Sequence, residues 1–518
     1  MKQKLRLTGQ NLHISDVLGV IAGSTAISFN NAKEKTYKVV RSYLEAESKQ
    51  KIIYGVNTGF GPMAGHVLAP KQLRRLQYNL IVSHAVGLGE PVNPVFVRAA
   101  MLVRLNTLSR GNSGVSAALL KHLGLLINAG VVPIVPEHGA VGTSGDLVQL
   151  AHIAACVIGE GKVWYRGKIL DAKSVYKRLR IKPYVLKSKE GLALINGTAF
   201  MTGVAVVLAD KSNRIMDLAL RNAAFALEVT SGYSDSLSPQ LHALRPHLGQ
   251  QLVAARLRKL LSKSSLLKTR VKFHEEYSTG EDEEAKIISE LLQDVYSLRC
   301  IPQILGPVWE TLQSHNKTVE VEMNSVTDNP VIVYQQKKII HGGNFHGEYI
   351  AASVDDLKAA LVKLTMLSER RTNYLLSQHV NGRFPPFANL ARPGFNLGLQ
   401  GLQFVATSTT AQSQSLAFPH RVHSIPTNAD NQDVVSMGSD AALLADKVAQ
   451  NSFIVLAIEL LTLCQLADHL GIGDLVSDSS KELYKLCRRA VPKILEDRPL
   501  GAEIDELVSA IQKIDHAK

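Results

Sequence analysis

Ala441-Ala-Leu-Leu-Ala-Asp-Lys-Val-Ala-Gln-Asn-Ser-Phe-Ile-Val-Leu-Ala-Ile-Glu-Leu-Leu-Thr-Leu-Cys-Gln-Leu-Ala-Asp-His-Leu470 contains neither glycine nor proline, and its apolar residues return at helical spacing over many turns. Residues 204–228 and 355–376 read the same way, which predicts long packed helices from about residue 201 onward. Up to about residue 200 the chain is punctuated by Gly and Pro, with short apolar runs such as 51–54 and 131–135 between turn signals. The expectation is a mainly α protein with two regions, 1–200 and 201–518. With no repeat and no low-complexity linker in view, the boundary reads as a change of architecture within one unit.

At 518 residues and 46% hydrophobic content the chain is long enough to bury a large core. Its formal charge of +13 raises the question of an anionic partner. The densest basic run, 256–272, alternates with Leu and is followed by Glu275, Glu276, Glu281, Asp282, Glu283 and Glu284, the pattern of a solvated helix and loop. Neither a nucleic acid nor a membrane is expected as partner. Cys156, Cys300, Cys464 and Cys487 lie far apart without Cys/His ligand spacing, so no disulfide framework and no metal is expected, and a reducing cytoplasm fits. Lys2, Lys4 and Arg6 could open a signal peptide, but Gly9, Gln10, Asn11, His13 and Asp16 break the apolar segment it needs. The apolar run 199–209 is too short to span a bilayer.

Polar, glycine-rich clusters separate the helical segments, and loops held by rigid helices are where chemistry is usually placed. Each alone is ordinary turn chemistry. Together, Tyr54-Gly-Val-Asn-Thr-Gly-Phe-Gly61, Glu190-Gly-Leu-Ala-Leu-Ile-Asn-Gly197, Tyr296-Ser-Leu-Arg-Cys300, Gly343-Asn-Phe-His346 and Asn431-Gln-Asp-Val-Val-Ser-Met-Gly438 resemble the aromatic amino-acid lyase family. That family comprises histidine, phenylalanine and tyrosine ammonia-lyases and related aminomutases. The likeness runs from about residue 8 to the last helices and is nearest to the bacterial tyrosine ammonia-lyases, then to histidine ammonia-lyase.

The resemblance implies a fumarase/aspartase-like helical bundle with a smaller N-terminal domain, assembled as a homotetramer whose active sites draw loops from three subunits. It also implies an autocatalytic 4-methylidene-imidazol-5-one (MIO) ring, here from Thr143, Ser144 and Gly145, with no external cofactor. Thr143 departs from the family's usual Ala, yet ring closure takes only the carbonyl carbon of that residue, the Gly145 nitrogen and dehydration of Ser144. Read in isolation, Thr-Ser-Gly-Asp146 would simply cap a helix beginning at Leu147.

Elimination of ammonia from an α-amino acid needs an electrophile for the amine and a base for a barely acidic β-hydrogen. Tyr54 matches the family's base, on a loop ending at Gly61 that could act as a lid. A phenol serving near neutrality needs positive potential nearby, which helix N-termini and Arg299 could supply. Arg299 matches the residue that grips the substrate carboxylate, a task suited to a planar bidentate donor. Gln293, Tyr296 and Arg299 recur every third residue and could share a helical face, although Pro302 disfavours helix at Ile301. Asn196, Gln293, Tyr296 and Phe345 match positions that line ring and substrate; Asn329, in a plain Asp-Asn-Pro turn, matches more weakly.

Selectivity rests on His84 and Gln432. Ser83-His84 is similar to the pair in histidine ammonia-lyases, whereas Gln432 stands where those enzymes place a glutamate. An uncharged amide suits a neutral ring, and an imidazole can hydrogen-bond a phenol, so the pair points to L-tyrosine as substrate and trans-4-coumarate as product. Histidine as substrate, an aromatic 2,3-aminomutase and a non-catalytic binding protein are the alternatives.

Overall fold

The structure, a computed structural model, describes residues 3–29, 33–276 and 292–514. The acidic residues Glu281 to Glu284 lie outside them. The protein is mainly helical, as expected, with helices of 32, 29 and 33 residues at Ala199–Thr230, Glu348–Leu376 and Gly438–Leu470. Two compact units interleave along the chain: residues 1–210, 314–356 and 419–445 form one, and 211–313, 357–418 and 446–518 the other. Four of the five crossings fall inside helices, so no turn residues mark them, and the compositional change near residue 200 precedes the first crossing.

In the first unit, short strands carry the turns. Gln3–Arg6 pairs in parallel with Thr25–Ser28; antiparallel pairs join Leu88–Pro91 to Pro136–His138 and Val331–Val333 to Lys338–Ile340. Val132–Pro133, Lys162–Tyr165 and Lys168–Asp171 make a three-stranded sheet with Val163 opposite Leu170. The run 51–54 is not a strand. Its Ile53 packs with Val56, Val40, Leu44 and Ile332 in a buried cluster, which anchors the loop that carries Tyr54.

Gly438–Leu470 is the one helix among the described residues long and apolar enough to cross a membrane, and 78% of its apolar window is buried inside the protein. Each fully buried leucine on it, such as Leu456, Leu460 and Leu463, contributes about 2 kcal/mol. Glu459 among them would cost several kcal/mol if unpaired. It accepts bonds from Arg371 (2.5 Å), Ser368 (2.6 Å) and Asn222 (3.2 Å), all in the second unit.

The expectation that Pro302 would keep Ile301 out of a helix is corrected: the helix Ile301–Met323 begins there. In the first turn the missing N–H of Pro302 has no intrahelical partner to lose.

Candidate active site

Thr143 and Ser144 lie on the wall of a cavity of about 690 Å³ in the first unit, together with Tyr54, Gly61, Phe345 and Gln432. The backbone there turns back on itself, Gly142 bridging to Gly145 and Gly145 to Gly197. Ser144 has φ +50 and Gly145 φ +80. A Cβ added to Gly145 would meet the Gly197 carbonyl oxygen at 2.1 Å, so only glycine fits this position.

Asp146 does not do what its place before a helix suggests. It is the N-cap residue of Leu147–Val157, but its side chain makes no cap bond there. Its buried carboxylate instead accepts from the Phe200 (2.8 Å) and Met201 (3.0 Å) amides, in the first turn of Ala199–Thr230, and from Ser439 Oγ (2.6 Å). Burial pushes this carboxyl up to about 6, against the pull of those three donors. The Asp146 side chain thereby ties the tripeptide to the start of a long helix, while the Asp146 carbonyl oxygen accepts from the Leu150 N–H (2.9 Å) in the helix that follows.

The Tyr54 oxygen accepts a bond from the Gly61 N–H at 3.2 Å, and its ring meets Phe60 edge-on, which fixes where the phenol sits. Gly61 itself has φ +53, a left-handed conformation that glycine adopts without strain. Asn196 is 2% exposed, and its Oδ1 has no hydrogen-bond partner among the described residues. Gln432 closes a loop by accepting from Thr427 Oγ1 at 3.0 Å. His341, His346, Asn431 and Val434 also line the cavity and were not singled out from sequence, although His346 and Asn431 lie inside quoted motifs.

Asn196 does not line the cavity, and four other expected site residues stand elsewhere. His84 ends the helix Pro70–His84 and does not line the cavity; its Nδ1 lies 2.8 Å from the Leu80 carbonyl oxygen, which can only accept. The contact calls for a proton on Nδ1, an arrangement that in a neutral ring leaves Nε2 as an acceptor. Gln293 and Arg299 line a hollow of the second unit, with Asp294 and Arg270. Tyr296 lines an apolar hollow with Met366 and Leu367, and the Arg299 guanidinium stacks 4.7 Å over its ring. The expected common face of Gln293, Tyr296 and Arg299 is not formed, because Val295 is extended and the helix Tyr296–Arg299 starts after it.

Residues 12–489 match the family model described as aromatic amino acid lyase. The chain is 37% identical over 499 residues to a tyrosine 2,3-aminomutase of Chondromyces crocatus, covering 96% of this chain and 94% of that one. It is 36% identical over 510 residues to a histidine ammonia-lyase of a Geobacillus species, covering 98% and 96%. Its fold matches the solved phenylalanine aminomutase of Pantoea agglomerans with a TM-score of 0.94, at 33% identity and over 99% of both chains. Likeness of this extent, with three of the shared motifs meeting at one cavity, makes the chain a member of the aromatic amino acid lyase family and an enzyme of the carbon–nitrogen lyase class.

Proposed function

We propose that the protein is an ammonia-lyase that converts L-tyrosine to trans-4-coumarate and ammonia, with an MIO electrophile formed from Thr143, Ser144 and Gly145. The observation that carries this reading is the presence of the Tyr54 phenol and Ser144 on the walls of one cavity. The tripeptide fits the ring: its backbone is sharply folded, Ser144 and Gly145 have positive φ, and no Cβ fits at Gly145. When formed, such a ring supplies an electron-poor methylene that takes up an amine and makes it a leaving group.

The other tasks fall to side chains. Tyr54 removes the β-hydrogen from a position held by Gly61. The unpartnered Asn196 Oδ1 is an acceptor for an amine N–H, and Phe345 supplies an apolar wall. Arg299 and Gln293, with Tyr296 beside them, grip the carboxylate end of the substrate after another copy in a homotetramer brings them to the cavity. The uncharged Gln432 and the acceptor Nε2 of His84 suit a substrate that brings a phenolic O–H. In that tautomer His84, which does not line the cavity of the single chain, would accept the phenolic proton. The reading includes a cytoplasmic setting.

A 2,3-aminomutase is the second reading, favoured by likeness to a tyrosine 2,3-aminomutase at 37% identity and to a phenylalanine aminomutase at 33%. It would use the same groups and return the ammonia to the neighbouring carbon. Incubation with tyrosine, phenylalanine and histidine separately, with products identified, tests both. Trans-4-coumarate formed from tyrosine at the highest kcat/KM supports the proposal. A β-amino acid as the main product favours the aminomutase, and a preference for histidine rejects tyrosine as substrate.

A further inference from the structure

Behind the tripeptide lies a layer of buried charge that no step above uses. Arg104, in the helix Pro94–Ser109, is 0% exposed, and its Nη2 donates to the Ala193 and Asn196 carbonyl oxygens, the latter at 2.6 Å. The Asn196 carbonyl and the Gly197 N–H belong to one peptide group. That N–H donates to the Ser144 carbonyl oxygen at 2.9 Å. Guanidinium, peptide and Ser144 oxygen therefore stand in series. A cation at the oxygen of a peptide draws electron density from its nitrogen and makes the N–H a stronger donor, an effect enlarged where water is excluded.

The surroundings keep this guanidinium charged and in place. Burial draws its pKa down to about 10, and Asp328 and Asp146 oppose that pull, so it is a cation at neutral pH. Lys189 and Asp328, both fully buried, pair at 2.6 Å. Asp328 thus faces two cations, and with Asp146 it holds the Arg104 guanidinium in its charged form beside the Asn196–Gly197 peptide.

We infer that Arg104 is a positioning residue for the elimination: through the Asn196–Gly197 peptide it strengthens the hydrogen bond to the Ser144 carbonyl oxygen. The inference rests on reading Thr143–Gly145 as the ring precursor. In a dehydrated Ser144 the Cβ, Cα and carbonyl are conjugated. Electrons displaced when an amine adds at Cβ gather on that oxygen and return when the amine leaves, with no further reactant. A donor aimed at this oxygen stabilises the charge as it develops.

The test uses Arg104→Gln and Arg104→Lys in the full-length protein. Arg104→Gln is expected to lose the two waters of ring formation by intact mass, to lower kcat about tenfold or more, and to change KM less than about threefold. The near-ultraviolet band of the dehydrated tripeptide should shift, because its energy depends on the hydrogen bond to that carbonyl. Arg104→Lys, which keeps the charge on a single donor group, should recover part of both losses. A merely structural arginine would leave the band of a folded, dehydrated protein where it is. Wild-type band and kcat in folded Arg104→Gln overturn the inference. So does a folded variant that keeps both waters, since Arg104 would then serve ring closure. If Arg104→Gln does not fold, Arg104→Lys decides: a shifted band with lowered kcat supports the inference, and no change in either overturns it. Wild-type protein that has lost no water fails the ring reading itself, an outcome distinct from the others.

Discussion

At position 144 the backbone shapes the loop while the side chain holds the oxygen that the proposed ring formation would remove. Ser144→Ala keeps a side chain where φ is +50 and removes the hydroxyl, so it should give folded protein of full mass and no lyase activity. Circular dichroism, intact mass and product formation check this, and retained activity would end the ring reading. Thr143→Ala should retain activity within about threefold, because only the backbone of residue 143 enters the ring. Tyr54→Phe should lower kcat by about 10² or more with KM nearly unchanged, as expected when a general base is lost. If it does not, Tyr296 is the next candidate base. The shared cavity of Tyr54, Ser144, Phe345 and Gln432 was legible because each sits in a motif of several residues. The role of Asp146 was not legible, since Ser-Gly-Asp before an apolar run looks the same whether the carboxylate caps its own helix or, as here, the amides of Phe200 and Met201. Arg104 gave no sign, because nothing around a lone arginine in an apolar helix tells which distant carbonyls it meets.

Among elements, the long helices were legible from periodicity, since packing an apolar stripe is a local property of the sequence. What joins them was not. His315 on Ile301–Met323 is 1% exposed; its Nε2 lies 3.1 Å from the Ala205 carbonyl oxygen and its Nδ1 2.8 Å from Ser353 Oγ. A neutral ring with its proton on Nε2 satisfies both and ties together Ala199–Thr230, Ile301–Met323 and Glu348–Leu376. Burial draws its pKa down to about 4, with the two hydrogen bonds acting in the opposite direction. The folded value lies below the ordinary 6.5, so unfolding takes up a proton between them. The stability His315 contributes is present above pH 6.5 and is lost as pH falls toward 4, by at most about 3 kcal/mol. Chemical denaturation of wild type and His315→Gln from pH 7 to pH 4 should show the wild type losing more, by that order. Parallel pH profiles would mean that His315 is not held neutral.

For the whole molecule, the expected site residues divide between units: Tyr54, Ser144 and Gln432 line a cavity of the first, and Gln293 and Arg299 a hollow of the second. The sequence carries no mark of this, because motif order along the chain says nothing about which copy a residue serves. The second unit also exposes Phe395 (73%), Phe404 (63%) and Phe418 (60%), large apolar side chains that association would cover. Both observations support a homotetramer in which the carboxylate grip and the ring reach one site from different copies, and complementation tests it. Ser144→Ala and Arg299→Ala homotetramers should each be nearly inactive. Co-expressed in equal amounts and assembled at random, a site takes intact Ser144 from an Arg299→Ala chain in half of cases. It takes intact Arg299 from a Ser144→Ala chain in half of cases. About a quarter of sites then carry both, so activity should rise toward about a quarter of wild type. If both residues served the same site from one chain, every site in every hybrid would lack one of them. Size-exclusion chromatography with mass analysis of separately tagged chains verifies that hybrids have formed. Hybrids that form and stay inactive would reject sharing of the site between copies.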